Sequence, residues 1–296
     1  MRDITLVHAE RPVRHWTGLR RLARTGPQWL VVALLTIIGL LWLIPFIWML
    51  SISFSESANV AVANPPEWIP SDISLANYRS VLAFTPMMRY FLNTTIVGAG
   101  TVILVVVLCS LAAYAFAKGR FPGRRVLFVL ALSTMMVPHE VTLIPMFVLM
   151  YKYHLLNSYF SLILPAITSG FGVFLITQFI RTVPDELLDA ARMDGASEFL
   201  IWARIVVPLI KPALATLAVL TFLEQWNSFL YPLVMLSDST KYTVTIGLMQ
   251  QIQDFGRVWW GNITAAASMA VLPILVLFIF LQRWVIRGIT FTGIKG

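Results

Sequence analysis

The chain has 296 residues, of which 58% are hydrophobic and only 12% are charged, and its mean hydropathy is +0.79. This composition excludes an ordinary water-soluble domain, because the apolar residues form runs near the roughly 20 that a helix needs to cross a bilayer. The net charge of +8 does not indicate a nucleic-acid partner, since basic residues flank the apolar runs throughout the chain.

Six apolar runs predict six membrane-spanning helices and therefore an all-α fold. Within a bilayer each segment must satisfy its own backbone hydrogen bonds, which a helix does and an isolated strand does not. The runs are 29–51, 91–116, 127–150, 158–180, 213–235 and 263–284. A basic segment, 1–28, is predicted to precede a six-span domain, 29–296.

The distribution of lysine and arginine predicts the side of the membrane that each loop occupies. Most of the 22 such residues lie before the first run, in the loop "KGRFPGRR", around 181–211 and near the C-terminus. Because basic residues are enriched on cytoplasmic flanks, these regions and both termini are predicted to be cytoplasmic.

The loop near 236–262 is predicted to lie on the outer side of the membrane. Its hydrogen-bonding side chains are Gln250, Gln251, Gln253 and Asp254. They exceed what a simple connector requires and are candidates for contact with an external partner. A solvated loop is the alternative interpretation.

The segment 182–212, which we call the 182–212 loop, is predicted to form two short helices joined by a sharp turn. Thr182 and Asp185 fit a capping pattern, while Pro184 and Glu186 favour the first turn of a helix. A helix is therefore predicted to begin here, between the fourth and fifth runs.

The first short helix is predicted to present two small residues on one face. Leu187, Ala190, Ala191 and Asp194 recur at helical spacing, so another surface can approach closely at the alanines. Gly195 can adopt the left-handed conformation that ends a helix. The pattern favours a docking surface; an amphipathic connector on the membrane is the alternative.

The second short helix is predicted to begin at Ser197, whose hydroxyl can cap it. Phe199, Trp202, Ala203 and Val206 form an apolar stripe. This stripe is predicted to pack against the protein's own helices.

The stretch "ELLDAARMDGASEFLIWARIVVPLIKP" resembles the cytoplasmic loop of the permease subunits of bacterial ABC importers. In that family a Glu-Ala-Ala triplet is followed at fixed distance by glycine and then by Ile-x-x-Pro. The corresponding residues are Asp189, Ala190, Ala191, Gly195, Ile205 and Pro208. Asp189 departs from the family's glutamate by one methylene, which alters the geometry expected for its contact.

Four further motifs are similar to carbohydrate-uptake permeases, in particular the second permease of maltose-type systems. They are "YAFAKGRFPGR", "MMVPHEVTLIP", "EQWNSFLYPLVM" and "RGITFTGIKG". The resemblance implies the type I importer permease architecture in a bacterial inner membrane and a sugar or sugar derivative as cargo, with no single compound selected.

The resemblance also implies partners and a set of coupling residues. Two ATPase subunits with ATP and Mg²⁺, an extracytoplasmic substrate-binding protein and a second permease subunit are expected, and a homodimeric pathway stays open. The residues expected to couple to the ATPase are Glu186, Asp189, Ala190, Ala191, Arg192, Asp194, Gly195 and Ala196. This chain is expected to carry no cofactor and to be no enzyme, since its sequence has no G-x-x-x-x-G-K-[ST] loop.

Polar residues near the membrane midplane are candidates for a substrate pathway. They are His139 and Glu140 in the third run, and Glu224, Gln225, Trp226 and Asn227 in the fifth. Ionisable groups at that depth cost on the order of 3 kcal/mol and usually face a cavity or a partner. An indole can stack on a sugar ring while amides bond its hydroxyls; bonding between helices is the alternative interpretation.

An ion-coupled secondary transporter, with Glu140 and Glu224 as coupling carboxylates, is the alternative function. Such transporters are commonly built from repeated halves, and the six runs show no convincing repeat. "HEVTL" lacks the second histidine of a zinc-binding H-E-x-x-H, and Cys109 lies in an apolar run, so no metal site is predicted.

Overall fold

The computed structural model describes residues 28–59, 68–250 and 259–290. Within these residues the regular structure is helical, apart from an isolated bridge between Ser55 and Ile73. The predicted all-α fold is therefore confirmed. The basic segment predicted at 1–28 lies almost entirely outside the described residues.

The helices carry labels in chain order. They are α1 (Gln28–Ser53), α2 (Ala76–Phe84), α3 (Met87–Lys118), α4 (Arg124–Ser133), α5 (Leu143–Lys152), α6 (Phe160–Ala166), α7 (Gly170–Arg181), α8 (Asp185–Met193), α9 (Glu198–Ile201), α10 (Val207–Leu209), α11 (Lys211–Asn227), α12 (Leu230–Met235), α13 (Val244–Gln250) and α14 (Trp260–Thr290). A π-helical turn, Trp202–Val206, joins α9 to α10.

The described residues contain three helices long and apolar enough to cross a membrane, or up to six such spans if each bent pair of helices counts as one. Trp29–Ser53, Met87–Lys118 and Trp260–Phe280 are continuous helices, long and apolar enough to cross a membrane. Three further candidates, by length and composition alone, are helix pairs bent by 95°, 48° and 82°: Arg124–Met136 with His139–Lys152, Phe160–Ala166 with Gly170–Arg181, and Glu198–Leu209 with Lys211–Asn227. The first helix of the last pair lies within the 182–212 loop.

The predicted third span, 127–150, is not one helix, which corrects the sequence-based expectation. Pro138 disfavours a helical conformation at the residue before it, and Val137 is accordingly extended, with φ −91° and ψ 114°. A short 3₁₀ turn, His139–Thr142, follows before α5 begins. The break therefore places His139 and Glu140 on a turn instead of a helix.

The predicted fifth span, 213–235, is also interrupted. Pro232 has no N–H to offer the Ser228 carbonyl four residues earlier, so the α-helical ladder cannot continue through this point. The freed carbonyl accepts a 2.6 Å hydrogen bond from the Thr245 hydroxyl of α13. Consequently α11 ends at Asn227, and α12 begins after a break.

The helix α3 is central to the packing because it has the most extensive contacts with other helices, namely α7 and α11. Val105 and Ala113 of α3 are fully buried in one cluster with Ile176 of α7 and Leu217 of α11. Gly98 permits the close approach of α11, since a Cβ at this position would lie 2.9 Å from Cε2 of Phe222.

Candidate functional site

The start of α8 is held by a lysine from α3, not by the predicted Thr182 cap. The Thr182 hydroxyl donates back to the Phe179 carbonyl at 2.8 Å, and Pro184 occupies the N-cap position. Lys118 donates to Asp185 Oδ1 at 2.7 Å and to the Val183 carbonyl at 2.6 Å. This hydrogen bond lowers the pKa of the Asp185 carboxyl.

The predicted turn at Gly195 is confirmed. Gly195 has φ +81°, in the left-handed region where a side chain is disfavoured. Its N–H donates to the Arg192 carbonyl, and the Ala196 N–H donates to the Ala191 carbonyl, both at 3.0 Å. These bonds form a Schellman motif that closes α8 and reverses the chain.

Arg192 joins the two short helices across this turn. Its Nε and Nη2 donate to Glu198 at 2.7 and 3.2 Å, and Nη1 donates to Asp189 at 2.7 Å. Glu198 also accepts from the Tyr114 hydroxyl of α3 at 2.5 Å. The bonds to Glu198 and Asp189 raise the pKa of the Arg192 guanidinium.

The predicted cap at Ser197 is confirmed, but the predicted apolar stripe is partly wrong. The Ser197 hydroxyl accepts from the Leu200 N–H. Phe199 is 66% exposed, whereas Ile201 and Val206 are fully buried. The π-helical turn changes the residue spacing, so the buried positions differ from those that a regular α-helix predicts.

The solvent-exposed face of the 182–212 loop combines apolar and acidic side chains. Leu187, Met193 and Phe199 are exposed by 48%, 88% and 66%. Glu186, Asp189, Ala190 and Asp194 are exposed beside them, while Ala191 and Ala196 are half-buried and pack against the core. The structure therefore separates the two alanines of the predicted face. Sequence reasoning missed Met193, which helical spacing does not single out, and it assigned the exposed Phe199 to the buried stripe.

In the third span, His139 and Glu140 are exposed on the 3₁₀ turn. The Tyr231 hydroxyl of α12 donates to the His139 carbonyl at 3.2 Å and lies 2.8 Å from the Thr142 hydroxyl. These contacts connect the breaks of the third and fifth spans. The break that carries His139 and Glu140 is therefore in contact with the helix that follows the break after Asn227.

In the fifth span, the four predicted residues have different surroundings. Glu224 and Asn227 are exposed, and Gln225 is half-buried. Trp226 is only 4% exposed, and its indole N–H donates to the Ala270 carbonyl at 3.3 Å. In this structure Trp226 packs between helices.

Only one of the four candidate residues in the 236–262 loop is described. Gln250 accepts a 3.1 Å hydrogen bond from the Tyr90 hydroxyl. Gln251, Gln253 and Asp254 lie outside the described residues. In the described ranges, no group of three or more His, Cys, Asp or Glu side chains is arranged to hold a metal.

The chain belongs to the family described as binding-protein-dependent transport system inner membrane component, whose model matches residues 105–291. It is therefore a permease subunit of an ABC importer and a membrane protein served by a substrate-binding protein. The secondary-transporter alternative is not favoured by this membership.

Named relatives cover most of the chain. The arabinooligosaccharides transport system permease protein AraQ of Bacillus subtilis (strain 168) is 36% identical over 261 residues, 88% of this chain and 92% of AraQ. The sn-glycerol-3-phosphate transport system permease protein UgpE of Yersinia pestis is 36% identical over 206 residues, which cover 69% of this chain and 73% of UgpE.

A solved structure has the same fold. It is a bacterial ABC transporter involved in the import of the acidic polysaccharide alginate, matched with a TM-score of 0.76 and 25% identity. The match covers 90% of this chain and 98% of that chain.

Proposed function

We propose that this chain forms half of a pathway that imports a sugar or sugar derivative, driven by ATP hydrolysis in two separate ATPase subunits. The relatives named for arabinooligosaccharide and glycerol-3-phosphate transport support this cargo class. ATP and Mg²⁺ act in the ATPases, and a second permease subunit completes the pathway. Both termini and the 182–212 loop face the cytoplasm.

The observation that carries the proposal is that one face of the 182–212 loop is attached to α3 while the opposite face is exposed. Its inner side is attached to α3 through Lys118 and Tyr114. Its exposed face presents Leu187, Met193 and Phe199 to the solvent. Exposed apolar side chains rimmed by charged groups mark protein interaction sites. The ATPase binds here, contacting Glu186, Asp189, Ala190 and Asp194, while Arg192, Gly195, Ala191 and Ala196 hold the shape of the loop.

The midplane residues support a pathway shared with a second permease. Glu140 and Glu224 are exposed on the surface of this chain. A carboxylate in contact with lipid tails is costly, so such groups face a cavity or partner. The two chains enclose a polar route lined by Glu224, Gln225, Asn227, His139 and Glu140, in which sugar hydroxyls form hydrogen bonds. Trp226 supports the wall of this route through its contact with Ala270.

The outer loop 236–262 receives the substrate-binding protein. The polar residues of this loop that contribute to the contact are Gln250, Gln251, Gln253 and Asp254. The orientation follows from the basic residues around the 182–212 loop, because such residues are enriched on the cytoplasmic side of a membrane protein.

Uptake is expected to require ATP and to ignore an imposed ion gradient. The complex is reconstituted in vesicles with its ATPase, second permease and loaded binding protein, and labelled sugar uptake is measured. ATP alone should drive accumulation. Uptake that follows a proton or sodium gradient without ATP would contradict the proposal.

Glu224→Gln is expected to lower uptake at limiting sugar about tenfold, because a hydrogen bond to a charged acceptor contributes about 1.5–3 kcal/mol. The measurement is the KM of uptake in vesicles with matched amounts of complex. Glu56→Gln, at an exposed position on the predicted outer side, is the control and should leave the KM unchanged. Equal values for both variants would exclude Glu224 from the pathway.

A further inference from the structure

The helix α3 differs from the other continuous spans of the described residues. It has 32 residues and contains no proline, whereas α1 contains Pro45 and α14 contains Pro273. At 1.5 Å per residue α3 is about 48 Å long, which exceeds the roughly 30 Å of the hydrocarbon layer. One unbroken helix therefore reaches both membrane surfaces.

The C-terminal end of α3 is attached to the 182–212 loop at three points. Tyr114 donates to Glu198, and Lys118, one turn later, donates to Asp185. Leu188 of α8 is fully buried in the cluster that contains Tyr114. The loop is therefore joined to α3 through polar and apolar contacts together.

The N-terminal end of α3 is attached to the segment 240–250. Asn93 donates to the carbonyls of Thr240 and Tyr242 at 3.0 and 2.9 Å. The Thr94 hydroxyl accepts from the Val244 N–H at 2.9 Å. These side chains satisfy backbone groups of the segment and fix it against α3.

The ring of Tyr90 adds a close packing contact at the same end. A Cβ at Gly247 would lie 2.3 Å from Cδ2 of Tyr90, so the backbone of α13 rests directly on the ring. The Tyr90 hydroxyl also donates to Gln250 at 3.1 Å. Tyr90 and Tyr114 are about 36 Å apart along the helix, at 1.5 Å per residue.

We propose that α3 transmits binding-protein contact at the segment 240–250 to the ATPase-facing 182–212 loop, with Thr94 and Tyr114 as positioning residues at its two ends. The inference rests on the proposed function, which sets these segments on opposite sides of the membrane. The bent spans can absorb a displacement at their breaks, whereas an unbroken helix carries it through.

The test compares four variants in the reconstituted complex. Tyr114→Phe removes the bond to Glu198 and keeps the ring, and Thr94→Val removes the acceptor for Val244. The matched controls are Tyr151→Phe, at an exposed tyrosine, and Thr95→Val, whose hydroxyl bonds only to Phe91 of its own helix in the described structure. The readouts are the stimulation of ATP hydrolysis by loaded binding protein and the sugar imported per ATP.

Tyr114→Phe and Thr94→Val are expected to lower the stimulation at least about threefold, with less sugar imported per ATP, at unchanged amounts of assembled complex. Both controls should match the wild type. Thr94→Ser, which retains the hydroxyl, should restore stimulation. Glu198→Gln, which weakens the acceptor for Tyr114, should reproduce the defect if Tyr114→Phe does not assemble.

Different results would contradict transmission through α3 and the proposed import function. If the wild-type complex imports sugar with ATP but the two test variants show wild-type stimulation and stoichiometry, transmission through α3 is overturned and the proposed function stands. If the wild-type complex shows no ATP-driven import, the proposed function fails and the inference fails with it.

Discussion

Gly195→Asp is expected to lower ATP-driven uptake by more than about tenfold while leaving membrane insertion and the amount of protein unchanged. Among the described residues, no atom beyond the two chain neighbours lies within 4 Å of a Cβ at this position, so the Cβ itself has room. The left-handed backbone costs about 1 kcal/mol, because aspartate tolerates it better than most residues. The new carboxylate lies next to Asp194, on the surface proposed to bind the ATPase.

The expected loss follows from burying this charge in an interface. An unpaired carboxylate there costs about 2–5 kcal/mol, so ATP-driven uptake should fall by more than about tenfold. Uptake and ATP hydrolysis are measured in the same vesicles, with the ATPase retained on the complex quantified by affinity capture.

Gly123→Asp is the matched control, because Gly123 has φ +78° and a Cβ there would likewise have no atom of the described structure within 4 Å, its chain neighbours aside. It carries the same backbone cost and the same added charge, but it lies in the turn before α4, away from the α8–α9 turn in the chain. Equal losses in both variants would assign the effect to the backbone or to charge alone and would contradict docking at Gly195.

Leu188→Ala and its neighbour Leu187→Ala are expected to affect different properties: the first lowers stability, and the second weakens ATPase binding. Leu188 is fully buried against the core, whereas Leu187 is 48% exposed. Truncating a buried leucine costs about 2–5 kcal/mol, so Leu188→Ala should lower the midpoint of thermal unfolding of the purified chain. Leu187→Ala should leave that midpoint unchanged and weaken ATPase binding.

The neighbouring substitutions remove the same atoms, so composition cannot explain a difference between them. Thermal unfolding is followed in detergent, and ATPase binding is measured by titration of labelled ATPase onto the reconstituted permease. If Leu187→Ala binds the ATPase with wild-type affinity, the exposed side of α8 is not the contact surface. If Leu188→Ala unfolds at the wild-type temperature, its packing does not hold the loop.

Features that depend on neighbours in the sequence were predictable. The length of each apolar run is enough to indicate six helical spans, because the bilayer leaves few other structures for such segments. The turn at Gly195 and the cap at Ser197 were also predicted, since each depends on the conformation or hydroxyl of one residue near a helix end. Pro138 and Pro232 explain the breaks locally as well, although the run lengths alone indicated continuous helices.

Features that depend on distant residues required the tertiary structure. The start of α8 is held by Lys118, 67 positions from Asp185, and this contact replaced the predicted role of Thr182. Trp226 is covered because α14 brings the Ala270 carbonyl to its N–H. No spacing within a single helix reveals such a contact.

The sequence by itself determined the class of the protein and the place where the 182–212 loop turns. Only the tertiary structure decided which side of that loop is open, with Ala190 exposed and Ala191 turned toward the core. The physical reason is that helix formation and turns are set by local backbone constraints, whereas burial is set by the elements that pack against each face.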